Sequence, residues 1–176
     1  MAKNKVNLAP PRKRGRQVIR DERLIHATCV AIDGRGVLLR GASGSGKSDL
    51  ALRLIDEGAK LVADDQVRIA GVGRKLVAHA PWTIAGKMEV RGVGIVTVGT
   101  KRAAAIALVV ELTPRARIER MPQPQSWTCL GRRVPKIRLD PFDASAPAKL
   151  RLAVRLRPRD SSADERTPAK TGGRNG

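Results

Sequence analysis

Three observations predict an α/β fold built on a phosphate-binding loop and a mixed, hairpin-containing sheet. Gly41-Ala42-Ser43-Gly44-Ser45-Gly46-Lys47-Ser48 satisfies the pattern G-x-x-x-x-G-K-[ST] at every fixed position. This stretch follows a short strand-type run, Val37-Leu38-Leu39, and leads into Leu50, Ala51, Leu54 and Ile55, which recur at helical spacing. Ahead of it, two apolar segments joined by Asp33-Gly34-Arg35-Gly36 read as a hairpin, where most domains with such a loop have a parallel crossover.

Taken in order, residues 24–32 predict one strand from their apolar and β-branched content, and the turn at 33–36 returns the chain into the strand before the loop. Gly58 ends the helix after the loop. Lys60-Leu61-Val62-Ala63 is strand-like and runs into Asp64-Asp65. Val67-Arg68-Ile69, a turn at Gly71-Val72-Gly73 and Leu76-Val77-Ala78 follow. Residues 88–98 alternate as a strand does, with a bend at Arg91 between glycine-flanked apolar stretches. Residues 103–110 form the longest apolar run, end in Glu111 and predict a buried central strand. Beyond it the chain reads as loop, with Pro114, Pro122 and Pro124, until residues 146–156 close with a helix.

A chain of 176 residues has room for one domain with a core, carried by residues 21–157. With two Trp, one Phe and no Tyr, that core must be aliphatic. No apolar run is long enough to span a membrane, and residues 1–20 are basic without a signal-type apolar segment, so a cytoplasmic location is expected. Cys29 and Cys129 form neither a zinc pattern nor a disulfide framework and read as small apolar residues. The net charge of +19 raises the question of nucleic acid, but much of it falls in two basic ends, residues 1–20 and 158–176, which read as disordered tails. Arginines without interleaved aromatics offer bases nothing to stack on, so no nucleic-acid partner is expected; the basic ends read as solvated tails or, more sharply, as a source of attraction to an acidic protein partner.

The chemistry of the loop follows from its residue types. Small residues let the backbone curl until successive N–H groups face phosphate oxygens, and the helix dipole adds positive potential. Lys47 would reach the β- and γ-phosphates, and the Ser48 hydroxyl would serve as a magnesium ligand. Adjacent carboxylates at a strand end point to opposite sides, so one of Asp64 and Asp65 faces the loop. There it can hold magnesium through water or take the proton of an attacking hydroxyl. Glu89 and Arg91 share one side of an extended chain and, on residue types alone, read as a surface ion pair.

Several of these pieces together resemble one family. Ile25-His26-Ala27-Thr28, the phosphate loop, Leu61-Val62-Ala63-Asp64-Asp65 and Glu89-Val90-Arg91-Gly92-Val93-Gly94-Ile95 resemble, in order and spacing, the C-terminal catalytic domain of HPr kinase/phosphorylase. That bacterial enzyme phosphorylates a serine of the phosphocarrier protein HPr in regulation of the phosphotransferase system. The resemblance implies a phosphoenolpyruvate-carboxykinase-like fold, ATP and magnesium as cofactors, and HPr as substrate. It also implies roles: Asp65 as general base with Asp64 beside it, His26 as the active-site histidine, Glu89 as a second magnesium ligand, and Arg120 as the essential arginine after the central strand. A short N-terminal segment resembles the short form of alphaproteobacteria, and family members assemble as hexamers. Residues 132–141 depart from the family stretch linked to dephosphorylation, so weak or absent phosphorylase activity is expected. Two other classes compete: a phosphate-loop ATPase or small-molecule kinase with Glu111 as its Walker B carboxylate, and an arginine-rich nucleic-acid-binding module.

Overall fold

The computed structural model describes residues 21–81 and 86–157; both basic ends assigned above as tails lie outside these residues. The longest strand organises the fold. Alternation of Ala, Ile, Leu and Val over β9 (Ala103–Leu112) buries Ile106 and Leu108 to Val110, as the apolar run predicts. One side of β9 pairs in parallel with β3 (Arg35–Arg40), the strand that feeds the phosphate loop. Its other side is forked: residues 103–105 pair antiparallel with β6 (Lys75–His79), and residues 109–112 pair in parallel with β11 (Arg132–Leu139).

From this axis the sheet runs in the order β1-β5-β6-β9-β3-β2-β4, where β1 is Glu22–His26, β2 Thr28–Ile32, β4 Lys60–Ala63 and β5 Gln66–Val72. β10 (Gln125–Cys129) is held by β11, and β7 (Lys87–Val90) with β8 (Gly94–Thr97) forms a separate two-stranded hairpin. The β2–β3 hairpin is antiparallel, with Thr28 opposite Leu39 and Ile32 opposite Arg35, so the expected mixed sheet is present. Two sequence expectations need correction. Residues 24–32 are two strands rather than one, because at Ala27 the backbone N–H turns to the Asp65 carbonyl and β1 leaves to pair with β5. Residues 125–139 are strands rather than loop: Cys129, Val134 and Leu139 face inward while Arg133 and Arg138 keep to the surface.

Two helices cover one face of the sheet. α1 (Lys47–Asp56) buries Leu50, Ala51 and Leu54 against Val30, Leu39 and Val110, and α2 (Ala146–Arg155) adds Leu150 and Val154 to the same core. Gly58 ends α1 at φ 96°, where its own N–H reaches the Ile55 carbonyl and the Ala59 N–H returns to the Leu54 carbonyl. The other face is closed by the curl of the sheet, where Cys29, Leu38, Ile69, Leu76, Val109 and Val134 meet. Both cysteines are free and buried, and burial pushes the Cys29 thiol up to about 12, which leaves it an inert apolar residue. Among the described residues no helix is long and apolar enough to cross a membrane.

Leu50 is completely buried beneath the phosphate loop. Leu50→Ala is therefore expected to cost about 2–5 kcal/mol of stability, read from the urea midpoint at unchanged slope. The start of α2 carries a pH-dependent contribution. Asp143 accepts from the Lys149 ammonium and from the backbone and side chain of Ser145, which lowers its carboxyl from 3.8 to about 2. A depressed carboxylate stabilises the fold above its unfolded value, and that contribution is lost as pH falls from 3.8 toward 2. Asp143→Asn should lower the unfolding midpoint near neutral pH, with the gap to wild type closing below pH 2.

Candidate active site

The loop Gly41 to Ser48 sits where β3 ends and α1 begins, with Ala42, Ser43 and Gly44 exposed at its apex. Gly44 and Gly46 adopt φ 73° and 87°, which turns successive backbone N–H groups toward one concavity at the α1 N-terminus. Lys47 is 6% exposed, and its ammonium donates to the carbonyls of Gly41 (3.0 Å) and Ala42 (2.8 Å), so the side chain arches back along the loop. The Ser45 hydroxyl is buried without a hydrogen-bond partner and lies against Gly41, where an added Cβ would collide with it.

The two aspartates separate into different roles. Asp64 follows β4, and β2 lies between β4 and the loop strand, so Thr28 stands between the aspartate and β3. The Thr28 hydroxyl, fully buried, donates to Asp64 Oδ1 at 2.8 Å. Ser48 donates to the same oxygen at 3.1 Å, and the Asp65 backbone N–H does so at 3.1 Å. Asp64 is thus the carboxylate that faces the loop. Two hard oxygen donors side by side, Ser48 Oγ and the Asp64 carboxylate, suit magnesium, which takes one or two protein oxygens and keeps its waters.

Asp65 turns the other way. It takes φ 62°, a left-handed conformation that Asp tolerates better than most residues, in a three-residue turn closed by the Gln66 N–H on the Asp64 carbonyl. Its carboxylate is 70% exposed, and His26 Nδ1 lies 3.0 Å from its Oδ1. The break between β1 and β2 delivers His26 to this position, since the Ala27 N–H is anchored on the Asp65 carbonyl. The result is an exposed carboxylate oriented by a histidine, directly next in the chain to the carboxylate that accepts from the loop serine.

The other sequence-predicted residues stand apart. Met88 of β7 is buried against the α1 side of the core, so the alternation of the strand leaves Glu89 exposed on the opposite side. Arg91 lies in the turn of the β7–β8 hairpin, and among the described residues no ion pair joins it to Glu89. Arg120 is exposed in the loop after a short 3-10 turn, Arg115–Arg117, without a hydrogen bond to the phosphate loop. Glu111 lies at the end of β9, directly beside Arg40 on β3. Arg40 donates to it at 2.8 Å and lies 5.2 Å from the Trp127 ring centre, so that carboxylate is already neutralised. Residue-type reasoning assigned no role to Thr28; its only signal was a hydroxyl in an apolar strand next to the loop strand.

Comparison with known proteins gives one family. The model of the HPr serine kinase C-terminal domain matches residues 17–150. An HPr kinase/phosphorylase of Clostridium tetani is 46% identical over 77 residues, covering 44% of this chain and 25% of that protein. Another, of Limosilactobacillus reuteri, is 38% identical over 125 residues, covering 64% of this chain and 39% of that one. The chain thus spans between a quarter and two fifths of the length of these relatives. The structure of the HPr(Ser) kinase/phosphatase from Coxiella burnetii is similar with a TM-score of 0.69 and 27% identity, over 76% of this chain and 88% of that one.

Proposed function

The chain belongs to the HPr serine kinase C-terminal domain family, and we propose that it is an ATP-dependent protein serine kinase acting on HPr in the cytoplasm. The observation that carries this reading is the split of the two aspartates, Asp64 on the Ser48 hydroxyl and Asp65 exposed beside His26. A kinase for a protein substrate needs a base that an incoming serine can reach, and Asp65 at 70% exposure meets that need.

The chain's own groups divide the work as follows. The loop N–H groups and the α1 N-terminus bind the phosphates and fix the line of attack. Lys47, with its ammonium now on two loop carbonyls, exchanges those partners for phosphate oxygens and neutralises charge that grows in the transition state. Ser48 and Asp64 are the residues that would hold magnesium, and Thr28 fixes the Asp64 rotamer from behind. Magnesium, when bound, would supply neutralisation of phosphate charge. Asp65 accepts the proton of the HPr serine hydroxyl as that oxygen attacks, and His26 keeps the carboxylate aimed at it. Glu89 as a second magnesium ligand and Arg120 as the essential arginine belong to this reading through the family resemblance; both side chains are exposed.

The reverse reaction, in which inorganic phosphate attacks phosphoserine, is expected to be weak, because residues 132–141, β11 and the two residues after it, depart from the family stretch tied to it. Incubation with labelled ATP, magnesium and purified HPr tests the proposal directly. Label on an HPr serine is the expected result, and ATP hydrolysis without label on HPr would refute it. The ATPase reading built on Glu111 is disfavoured by the Arg40 contact that already occupies this carboxylate.

A further inference from the structure

Beside the phosphate loop stands an aromatic ring that the phosphate chemistry does not use. Phe142 is the chain's single Phe, yet 70% of it is exposed. Its ring abuts the loop: a Cβ built on Gly46 would lie 3.0 Å from Phe142 Cζ and 3.0 Å from Pro141 Cγ. The corner that carries it, between β11 and α2, is held from several sides. Asp140 accepts from the Phe142 N–H at 3.0 Å and from the Arg115 N–H at 2.9 Å. Arg53 of α1 donates to the Pro141 carbonyl and, at 3.4 Å, to the Asp143 carbonyl. The helix whose N-terminus faces the phosphates therefore also fixes the position of the ring.

A ring that served only to pack the loop would be buried, whereas this one meets Gly46 with its tip and leaves most of its surface to solvent. A rigid, exposed aromatic surface adjoining an anion cradle matches a ligand that joins a flat heterocycle to a phosphate chain. We infer that Phe142 is the base-stacking surface of this site, holding the heterocyclic base of a nucleoside triphosphate whose phosphates occupy residues 41–48. The inference rests on the reading of that loop as a phosphate site. It adds to that reading the residue that favours a nucleotide over inorganic polyphosphates that carry no base.

The test is titration calorimetry with magnesium, comparing ATP with inorganic tripolyphosphate. Loss of one stacked base commonly weakens binding by about tenfold or more. Phe142→Ala should therefore raise the Kd for ATP by about that factor while the Kd for tripolyphosphate stays within about twofold. Phe142→Trp should retain ATP affinity, and its added fluorescence, relative to wild type, should be quenched by ATP and not by tripolyphosphate. The proposal is overturned if Phe142→Ala weakens both ligands equally, which would make the ring a prop for the loop, or weakens neither. A wild type that binds neither ligand would overturn the phosphate site and this inference together. Tripolyphosphate binding by the wild type, with an ATP affinity that Phe142→Ala leaves unchanged, would remove the inference alone.

Discussion

Lys47→Met is expected to lower phosphoryl transfer to HPr by about a hundredfold or more. The Met stem keeps the packing of a residue that is 6% exposed, so the loss is of charge rather than of bulk. In the unliganded loop the Lys47 ammonium is held by the Gly41 and Ala42 carbonyls, and the loop N–H groups do not depend on it. Those N–H groups still contact phosphate in the variant, so some ATP binding should survive the loss of transfer. Single-turnover transfer to HPr, with circular dichroism to confirm the fold, checks the expectation. A rate within a few-fold of wild type would mean that residues 41–48 are not the phosphate site.

The second large effect is at Asp65. Asp65→Asn should lower transfer by about a hundredfold to ten-thousandfold with ATP affinity changed only a few-fold, since a positioned base contributes that range and the phosphates are held elsewhere. Asn tolerates the left-handed backbone at φ 62° as Asp does, so the turn between β4 and β5 survives the change. Glu111→Gln is the companion variant and should leave transfer within a few-fold, because Arg40 and Trp127 already occupy that corner. The reverse pattern, with Glu111→Gln inactive and Asp65→Asn active, would identify a Walker B ATPase in place of the kinase.

What could be read from the sequence was whatever is encoded locally. The phosphate loop, the helix ended by Gly58, the apolar strand through residues 103–110 and the closing helix each show in a run of neighbours, and each is present in the structure. β10 and β11 were hidden because β11 carries Pro135 and four basic residues, Arg132, Arg133, Lys136 and Arg138, and its buried Val134 and Leu139, five residues apart, join the clusters on opposite sides of the sheet, so no alternating apolar face shows. The doublet Asp64-Asp65 announced that one carboxylate faces the loop, but which one depends on Thr28, 36 positions away from Asp64, and on the turn at Asp65. The same holds for the break at Ala27, since its cause is a carbonyl beyond β4. The proximity of Phe142 to Gly46 is likewise a tertiary fact, since nothing in residues 140–145 taken alone points to the loop.

The forked pairing of β9 constrains the order in which the chain can assemble. The strand is flanked by partners made earlier, β3 and β6, and by one made later, β11. During synthesis, residues 109–112 must therefore wait with one edge bare until residues 136–139 have left the ribosome. Parallel pairing across such separations is slow to form, and an unpaired apolar edge invites the wrong neighbour in the meantime. Arg138, which arrives beside Glu111 just past the stretch of β11 that β10 covers, brings charge to the part of the β11 edge left open. Nascent chains stalled before Arg132 are consequently the species of this protein most exposed to aggregation.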